Sequence, residues 1–198
     1  MNLPNRLTIA RLVLVPLFVL LMSVDHFASY LAAYVTFTVA SLTDYYDGKI
    51  ARRDGLITNF GKLMDPLADK ILVTAAFVML MKIPALTTPG WAIVAILARE
   101  FLVTGARSLA AADGSIIAAN ATGKTKTVIQ MVHIYTFLFL AIVAGLVERW
   151  LPDYAEVYGS VLSAASMYSI IFVAAFTVYS GIEFARSNWA ALNLSTRS

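Results

Sequence analysis

Four aspartates lie in two short stretches of this sequence at spacings that suit a helix. Asp44 and Asp47 are three residues apart, and Asp65 and Asp69 are four residues apart. Residues at these separations share one face of a helix, so each stretch presents a pair of carboxylates. Because only a short connection separates the stretches, their helices become antiparallel neighbours whose carboxylates can converge. Four such charges in a partly dehydrated site repel one another strongly unless cations neutralise them.

Divalent metal binding is the chemistry that this pattern predicts. Oxygen ligands without His or Cys favour Mg²⁺ or Mn²⁺, which keep coordination positions open for phosphate oxygens. The alternative is that the acidic residues are solvated, or pair with nearby Lys and Arg side chains. We prefer the metal interpretation because ionisable groups in membrane helices are usually functional. Gly48, directly after Asp47, also favours the close approach of a ligand.

The composition indicates that these helices belong to a membrane protein. The chain has 198 residues, of which 60% are apolar and 14% are charged, and its mean hydropathy is +0.76. These charges are too few to cover a water-soluble surface, so a soluble fold and intrinsic disorder are excluded. The sequence has no cysteine, which excludes disulfides and zinc–thiolate sites. Nucleic acid is not an expected partner, because the basic residues lie beside apolar runs rather than in one stripe.

Apolar runs predict six transmembrane helices, since each span needs about 20 residues. The predicted spans are 8–24, 28–50, 63–83, 89–112, 122–147 and 158–185. The loops 52–62 and 83–90 are too short to form a separate domain. The predicted fold is therefore an all-α integral membrane protein, a six-helix bundle forming a single domain over residues 1–198.

The distribution of Lys and Arg predicts the orientation of this bundle. Eleven of these residues lie on the side of the N-terminus, whereas Lys82 and Arg149 lie on the opposite side. Basic residues accumulate on the cytoplasmic side of a membrane protein. We therefore expect both termini and the four aspartates to face the cytoplasm.

Two further polar groups lie on the same side as the aspartates. Arg107, Lys124 and Lys126 flank the connection between the fourth and fifth spans and suit a phosphate-bearing ligand. The alternative is ordinary positive-inside charge at the surface, which has about equal weight for Lys126 and less for Arg107. Arg99, inside the fourth span, is expected to face the site or to pair with a carboxylate. On the first helix, a strip of residues three apart either binds lipid phosphate or caps the helix: Asn5, Thr8 and Arg11.

The stretch 44–69 resembles the signature of the CDP-alcohol phosphotransferase family. The pattern is Asp-x2-Asp-Gly-x2-Ala-Arg-x8-Gly-x3-Asp-x3-Asp, and all eight fixed positions are filled. The resemblance implies a six-helix membrane bundle, commonly homodimeric, that acts on a CDP-linked alcohol. It implies that the four aspartates hold two divalent cations on the pyrophosphate and that Asp69 is also the base. It further implies that Gly48, Ala51 and Arg52 flank the nucleotide and that Gly61 belongs to the loop.

Segments 4–11, 98–107 and 123–127 resemble bacterial members of this family that use CDP-diacylglycerol as donor and sn-glycerol 3-phosphate as acceptor. The resemblance implies transfer of the phosphatidyl group at the cytoplasmic face of the bacterial inner membrane, giving phosphatidylglycerophosphate and CMP. The donor would contact the strip on the first helix, and the acceptor phosphate would contact Arg99, Arg107, Lys124 and Lys126. Other acceptors, leading to cardiolipin, phosphatidylserine or an inositol lipid, remain open. An ion-coupled transporter and a non-catalytic scaffold are the rivals from other classes.

Overall fold

The computed structural model describes the backbone of residues 3–54, 59–112, 117–118 and 120–189, and the side chains in these ranges except 3–6, 44–66, 69 and 112. Within these ranges the chain forms six helices and no strand, which confirms the all-helical prediction. The helices are α1 (Leu3–Met22), α2 (Phe27–Asp54), α3 (Asn59–Leu80), α4 (Gly90–Ala112), α5 (Ala121–Trp150) and α6 (Pro152–Ser187).

Several helices extend beyond the apolar spans predicted from hydropathy. Helix α2 continues to Asp54, α3 begins at Asn59, and α6 begins at Pro152 rather than near residue 158. Hydropathy detects only the apolar part of a helix, whereas charged residues continue the same backbone hydrogen bonding in water. Proline suits the first helical position because its missing N–H needs no partner there. The predicted loop 52–62 is thus helical at both ends.

The helices pack in two compact units, and the first comprises Met1–Leu86 and Ile134–Ser163. In this unit α1 contacts both α2 and α3. The fully buried rings of Phe18 and Phe37 join α1 to α2, with their centroids 5.7 Å apart. Tyr135 of α5 stands edge-on to Phe37 at 5.2 Å. Helix α1 and this aromatic cluster therefore hold the two helices that carry the aspartates.

The second unit comprises Thr87–His133 and Ala164–Ser198. Polar contacts between α6 and the rest of this unit recur along the helix. Ser166 Oγ accepts a hydrogen bond from the Thr87 N–H at 2.8 Å, and Ser169 Oγ lies 2.8 Å from His133 Nδ1. Since these groups are partly buried, each bond removes the cost of an unsatisfied polar atom. The single domain predicted over 1–198 stays a prediction.

Helices α5 and α6 are each long and apolar enough to cross a membrane. Leu7–Met22, Phe27–Thr43 and Lys70–Leu80 are shorter apolar helical segments. Large apolar side chains such as Leu102, Val132 and Phe172 are exposed on the helix surfaces, as lipid-facing positions require. Both features are typical of a membrane protein, and the other four predicted spans stay predictions.

Candidate functional site

The carboxylate motif lies on two helices whose backbone the structure describes. Asp44, Asp47, Gly48, Ala51 and Arg52 belong to the final part of α2, and Gly61, Asp65 and Asp69 belong to the first half of α3. Both carboxylate pairs therefore have the helical spacing that places them on one face. The six side chains of this motif lie outside the described residues, so the convergence of the carboxylates stays a prediction. No group of three or more His, Asp or Glu side chains that suits a metal ion occurs elsewhere in the described part of the chain.

Thr8 and Arg11 of the strip on α1 are completely buried. Helix α1 begins at Leu3, so both residues lie well inside the helix and cannot cap its N-terminus. The capping alternative is wrong for these two residues. A buried guanidinium is stable only beside compensating polar or charged groups. The side chain of Asn5 lies outside the described residues.

Glu100 is the centre of a polar cluster in the second unit, and the sequence did not assign it to the site. Its Oε1 accepts a hydrogen bond from Lys126 Nζ and lies 3.5 Å from Arg99 Nη1. Arg99 Nη2 donates a further bond to Ser180 Oγ at 2.9 Å. Arg99 thus contacts a carboxylate, as expected from the cost of a lone charge within a span.

Lys126 is buried, with 5% of its surface exposed, so the alternative that it is an ordinary surface charge is wrong. Its ammonium group lies against the Glu100 carboxylate, which compensates for its removal from water. Gln130, one helical turn along α5, donates to Glu100 at 3.5 Å and to Thr177 Oγ1 at 3.2 Å. We name Arg99, Glu100, Lys126, Gln130, Thr177 and Ser180 the α4–α6 polar cluster.

A signal in the sequence could have revealed this cluster. Thr177 and Ser180 are three residues apart on the apolar helix α6, as Lys126 and Gln130 are four apart on α5. Polar residues at such spacings share one helix face and imply polar partners on a neighbouring helix.

Arg107 and Lys124 differ in their surroundings. Arg107 is half-buried, and its guanidinium carbon lies 5.1 Å from the ring centroid of Phe184, a cation–π distance. Its Nε is buried and donates no hydrogen bond within the described residues, so only the rest of the partly exposed guanidinium is open to a ligand. Lys124 is exposed in the first turn of α5. Both cations therefore remain accessible for an anionic group, unlike Lys126.

Asn120 caps the N-terminus of α5, whose first turn contains Lys124. Its Oδ1 accepts the Gly123 N–H at 3.0 Å, and its carbonyl oxygen accepts the Lys124 N–H at 3.3 Å. The helix terminus is thus satisfied in part by the protein itself. An anion near Thr122 would rely on Lys124 and Arg107 more than on these backbone amides.

Comparison with known proteins identifies the family. The sequence model of the CDP-alcohol phosphatidyltransferases matches residues 1–178. The chain belongs to the CDP-alcohol phosphatidyltransferase family. This membership confirms the resemblance carried by the stretch 44–69. It also confirms that the protein is an enzyme of the phosphatidyltransferase type and decides against a transporter or a scaffold.

Curated relatives of this phosphatidyltransferase share one activity by name. A CDP-diacylglycerol–glycerol-3-phosphate 3-phosphatidyltransferase of Bacillus subtilis (strain 168) is 37% identical over 206 aligned residues, covering 98% of both chains. A probable phosphatidylglycerophosphate synthase of Mycobacterium tuberculosis (strain H37Rv) is 41% identical over 140 residues, 69% of this chain and 66% of the relative. The Escherichia coli (strain K12) 3-phosphatidyltransferase is 36% identical over 148 residues, 70% of this chain and 77% of the relative.

Proposed function

We propose that this chain is a phosphatidylglycerophosphate synthase, which transfers the phosphatidyl group of CDP-diacylglycerol to sn-glycerol 3-phosphate. The observation that carries the proposal is the similarity to the Bacillus subtilis enzyme of that name, which extends over 98% of both chains. The products are phosphatidylglycerophosphate and CMP. In the reaction an acceptor hydroxyl oxygen forms a bond to the lipid-side phosphorus, and the bond from that phosphorus to the CMP oxygen breaks.

The carboxylate motif is the proposed donor site. Asp44, Asp47, Asp65 and Asp69 form an all-oxygen donor set on two described helices, which fits hard divalent cations such as Mg²⁺ or Mn²⁺. Two such cations, when bound, supply positive charge that offsets the charge on the pyrophosphate and the departing CMP. Asp69 takes the proton of the acceptor hydroxyl as its oxygen attacks.

Small residues are proposed to leave room for the nucleotide beside these aspartates. Gly48 and Ala51 keep one side of the end of α2 shallow, and Arg52 next to them provides positive charge for a phosphate. Gly61 is proposed to belong to the same site from the start of α3. The buried Thr8 and Arg11, together with Asn5, are proposed to support the donor lipid phosphate from α1, which contacts α2 and α3.

Arg107 and Lys124 are the proposed ligands of the acceptor phosphate. Their support is accessibility combined with positive charge, since Arg107 is partly exposed and Lys124 is exposed. Arg99 and Lys126 are proposed to act on the acceptor phosphate only indirectly, because both already contact Glu100. We propose that their charges make the electrostatic potential near the acceptor phosphate more positive, and that they are not its main hydrogen-bond donors.

The proposal includes the location and assembly of the enzyme. Six helices cross the bacterial inner membrane, both termini lie in the cytoplasm, and the aspartates face the cytoplasm as the positive-inside distribution predicts. Membrane lipids surround the apolar helix surfaces, and the enzyme acts as a homodimer, as the family resemblance implies.

The acceptor can be identified with the purified chain in detergent micelles containing CDP-diacylglycerol. Radiolabelled sn-glycerol 3-phosphate, serine, inositol and phosphatidylglycerol are supplied in separate reactions. We expect label from glycerol 3-phosphate to enter lipid, with one CMP released for each label incorporated. Label from serine and inositol should stay in the water-soluble fraction. No cardiolipin should form from phosphatidylglycerol. Incorporation of serine or inositol, or formation of cardiolipin, in place of glycerol 3-phosphate transfer would overturn the assignment of the acceptor.

A further inference from the structure

A polar cavity of about 310 Å³ lies in the first unit, where α2 begins. Its walls come from the connection between α1 and α2, the connection between α3 and α4, and the end of α5. The charged and polar lining residues are Asp25, His26, Tyr30, Glu148 and Arg149. The volume falls at the lower end of the range of small-molecule sites. We name this cavity the α2 entry pocket.

The α2 entry pocket is separate from the carboxylate motif. Along α2, Phe27 at the pocket and Asp44 of the motif are separated by about 25 Å of helix, given the rise of 1.5 Å per residue. This length approaches the hydrocarbon thickness of a bilayer, about 30 Å. The pocket therefore belongs to the interfacial layer of the leaflet opposite the motif. Trp150 and Tyr154 are exposed near it, as aromatic side chains at that layer commonly are.

Two carboxylates in the pocket are placed to accept hydrogen bonds. Asp25 Oδ1 accepts one bond from the hydroxyl of Tyr30 at 2.7 Å, which orients the carboxylate and leaves capacity on its other oxygen. Tyr30 is itself buried. Glu148, at the end of α5, supplies the second carboxylate. A ligand group that suits this pair is a cation with several N–H donors.

Positive and donor groups line the same pocket. The guanidinium carbon of Arg149 lies 6.0 Å from the ring centroid of Phe27 and 5.7 Å from that of Trp150, so two aromatic faces orient it. His26 Nδ1 accepts the Ala28 N–H at 3.2 Å, so its neutral ring carries the proton on Nε2. Arg149 and His26 can thus donate to an anion while the carboxylates accept from a cation.

From this charge pattern we infer that the α2 entry pocket binds the phosphoethanolamine headgroup of a membrane phospholipid. The ammonium of the headgroup contacts Asp25 and Glu148, and its phosphate contacts Arg149 and His26. The neighbouring exposed side chains of Val24 and Leu31 are apolar and suit acyl chains. A lipid rather than a free solute is the occupant, because the pocket opens at the interfacial layer beside these apolar surfaces.

Other common headgroups match the pocket less well. Phosphatidylglycerol has no cation, so the two carboxylates would repel its phosphate. Phosphatidylcholine has a cation without N–H groups, so it forms no hydrogen bonds to Asp25 or Glu148. The three lipids therefore form a graded series that tests the recognition of the ammonium group by itself.

Native mass spectrometry of the full chain in detergent tests this inference, with dioleoyl-phosphatidylethanolamine, -choline and -glycerol added at equal concentration. We expect phosphatidylethanolamine to be retained roughly tenfold more than phosphatidylglycerol, with phosphatidylcholine between them. Asp25→Asn should remove most of this preference, whereas Arg149→Gln should lower the retention of all three lipids, because each of them carries the phosphate that Arg149 contacts. Glu156→Gln is the matched control, since Glu156 is an exposed carboxylate on α6 outside the pocket. A thermal unfolding curve of each variant verifies that it is folded.

Two results would overturn the inference. Equal retention of the three lipids by the native chain would show that the pocket does not recognise an ammonium group. An unchanged preference in folded Asp25→Asn, or an unchanged retention of the lipids by folded Arg149→Gln, would place the lipid elsewhere on the protein. CMP release from CDP-diacylglycerol is measured in parallel and should stay unchanged in both variants, so a failure of this inference is distinguishable from a failure of the proposed reaction.

Discussion

At the scale of single residues, the α4–α6 polar cluster places two cations against one carboxylate among the described side chains. Arg99 and Lys126 contribute two cations, and Glu100 contributes one carboxylate. Loss of Lys126 would leave a neutral Arg99–Glu100 pair, whereas loss of the Glu100 charge would leave two cations close together in a region of low dielectric. Substitution of Glu100 and substitution of Lys126 should therefore lower the stability of the protein by different amounts.

We predict that Glu100→Gln destabilises the protein by about 3 kcal/mol or more, because it removes the buried carboxylate that both Arg99 and Lys126 contact. Lys126→Met, which keeps an unbranched side chain shorter by one atom, should cost less. The measurement is thermal unfolding of the purified variants in detergent. Equal losses, or a greater loss in Lys126→Met, would contradict this account of the cluster.

The carboxylate motif makes a catalytic prediction. Asparagine at position 44, 47, 65 or 69 preserves shape but removes charge, so each variant should lose CMP release by several orders of magnitude if divalent cations supply several kcal/mol of charge stabilisation. A chelator should have the same effect on the native chain, with recovery upon adding Mg²⁺ or Mn²⁺. Asp153→Asn, at an exposed carboxylate in the first turn of α6, is the matched control. Near-normal turnover in Asp65→Asn would refute the metal hypothesis.

Arg107 makes a prediction about the acceptor. A charge-assisted hydrogen bond is worth about 1.5–3 kcal/mol, so Arg107→Ala should lower kcat/KM for sn-glycerol 3-phosphate roughly 10- to 150-fold. Binding of CDP-diacylglycerol should change little. Arg186→Ala, at an exposed position near the end of α6, is the control for a general loss of positive charge. If donor binding fell while acceptor dependence stayed the same, the basic residues would belong to the donor site.

At the scale of the helices, glycine marks a place where two elements approach closely. A Cβ atom at Gly145 on α5 would lie 2.8 Å from Phe27 Cβ and 3.4 Å from Phe27 Cα at the start of α2. The backbone of α2 itself would therefore have to move. At Gly159 on α6, no atom lies within 4 Å of the added carbon. Both positions are helical, so intrinsic helix propensity is the same for the two.

This contrast yields a matched pair of substitutions. Gly145→Ala should destabilise the protein by about 1–3 kcal/mol through overpacking. Gly159→Ala should leave it unchanged or stabilise it by up to about 1 kcal/mol, since alanine favours the helix. Thermal unfolding in detergent measures both. Stabilisation by both variants would show that α2 and α5 do not pack as closely as the structure indicates.

At the scale of the whole molecule, the orientation in the membrane can be read from one helix. Asp153 and Arg186 are exposed near opposite ends of α6, about 50 Å apart along its axis, which exceeds a bilayer core of about 30 Å. The chain has no cysteine, so a single Cys introduced at either position reports without background. With an impermeant thiol reagent added outside intact cells, Asp153→Cys should react and Arg186→Cys should react only after lysis. The reverse pattern would overturn the positive-inside assignment.

The family, the existence of the six helices and the carboxylate motif could all be predicted from the sequence. Hydropathy and the separations between Asp44, Asp47, Asp65 and Asp69 are properties of contiguous residues, so they need no knowledge of the fold. The same locality explains the errors in the helix ends, since charged residues that end an apolar run do not end a helix. Asp54 and Asn59, inside a predicted loop, are helical for this reason.

Which charges are buried, and which groups they contact, could not be predicted from the sequence and became visible in the tertiary structure. Lys126 lies in a basic segment, where ordinary surface charge was an open alternative, yet Glu100, 26 residues earlier, compensates for its burial. Gln130 likewise meets Thr177, 47 residues later. The α2 entry pocket also joins residues from three separate parts of the chain. The cost of burying a charge depends on the groups that packing brings beside it, and those groups come from segments that no local pattern connects.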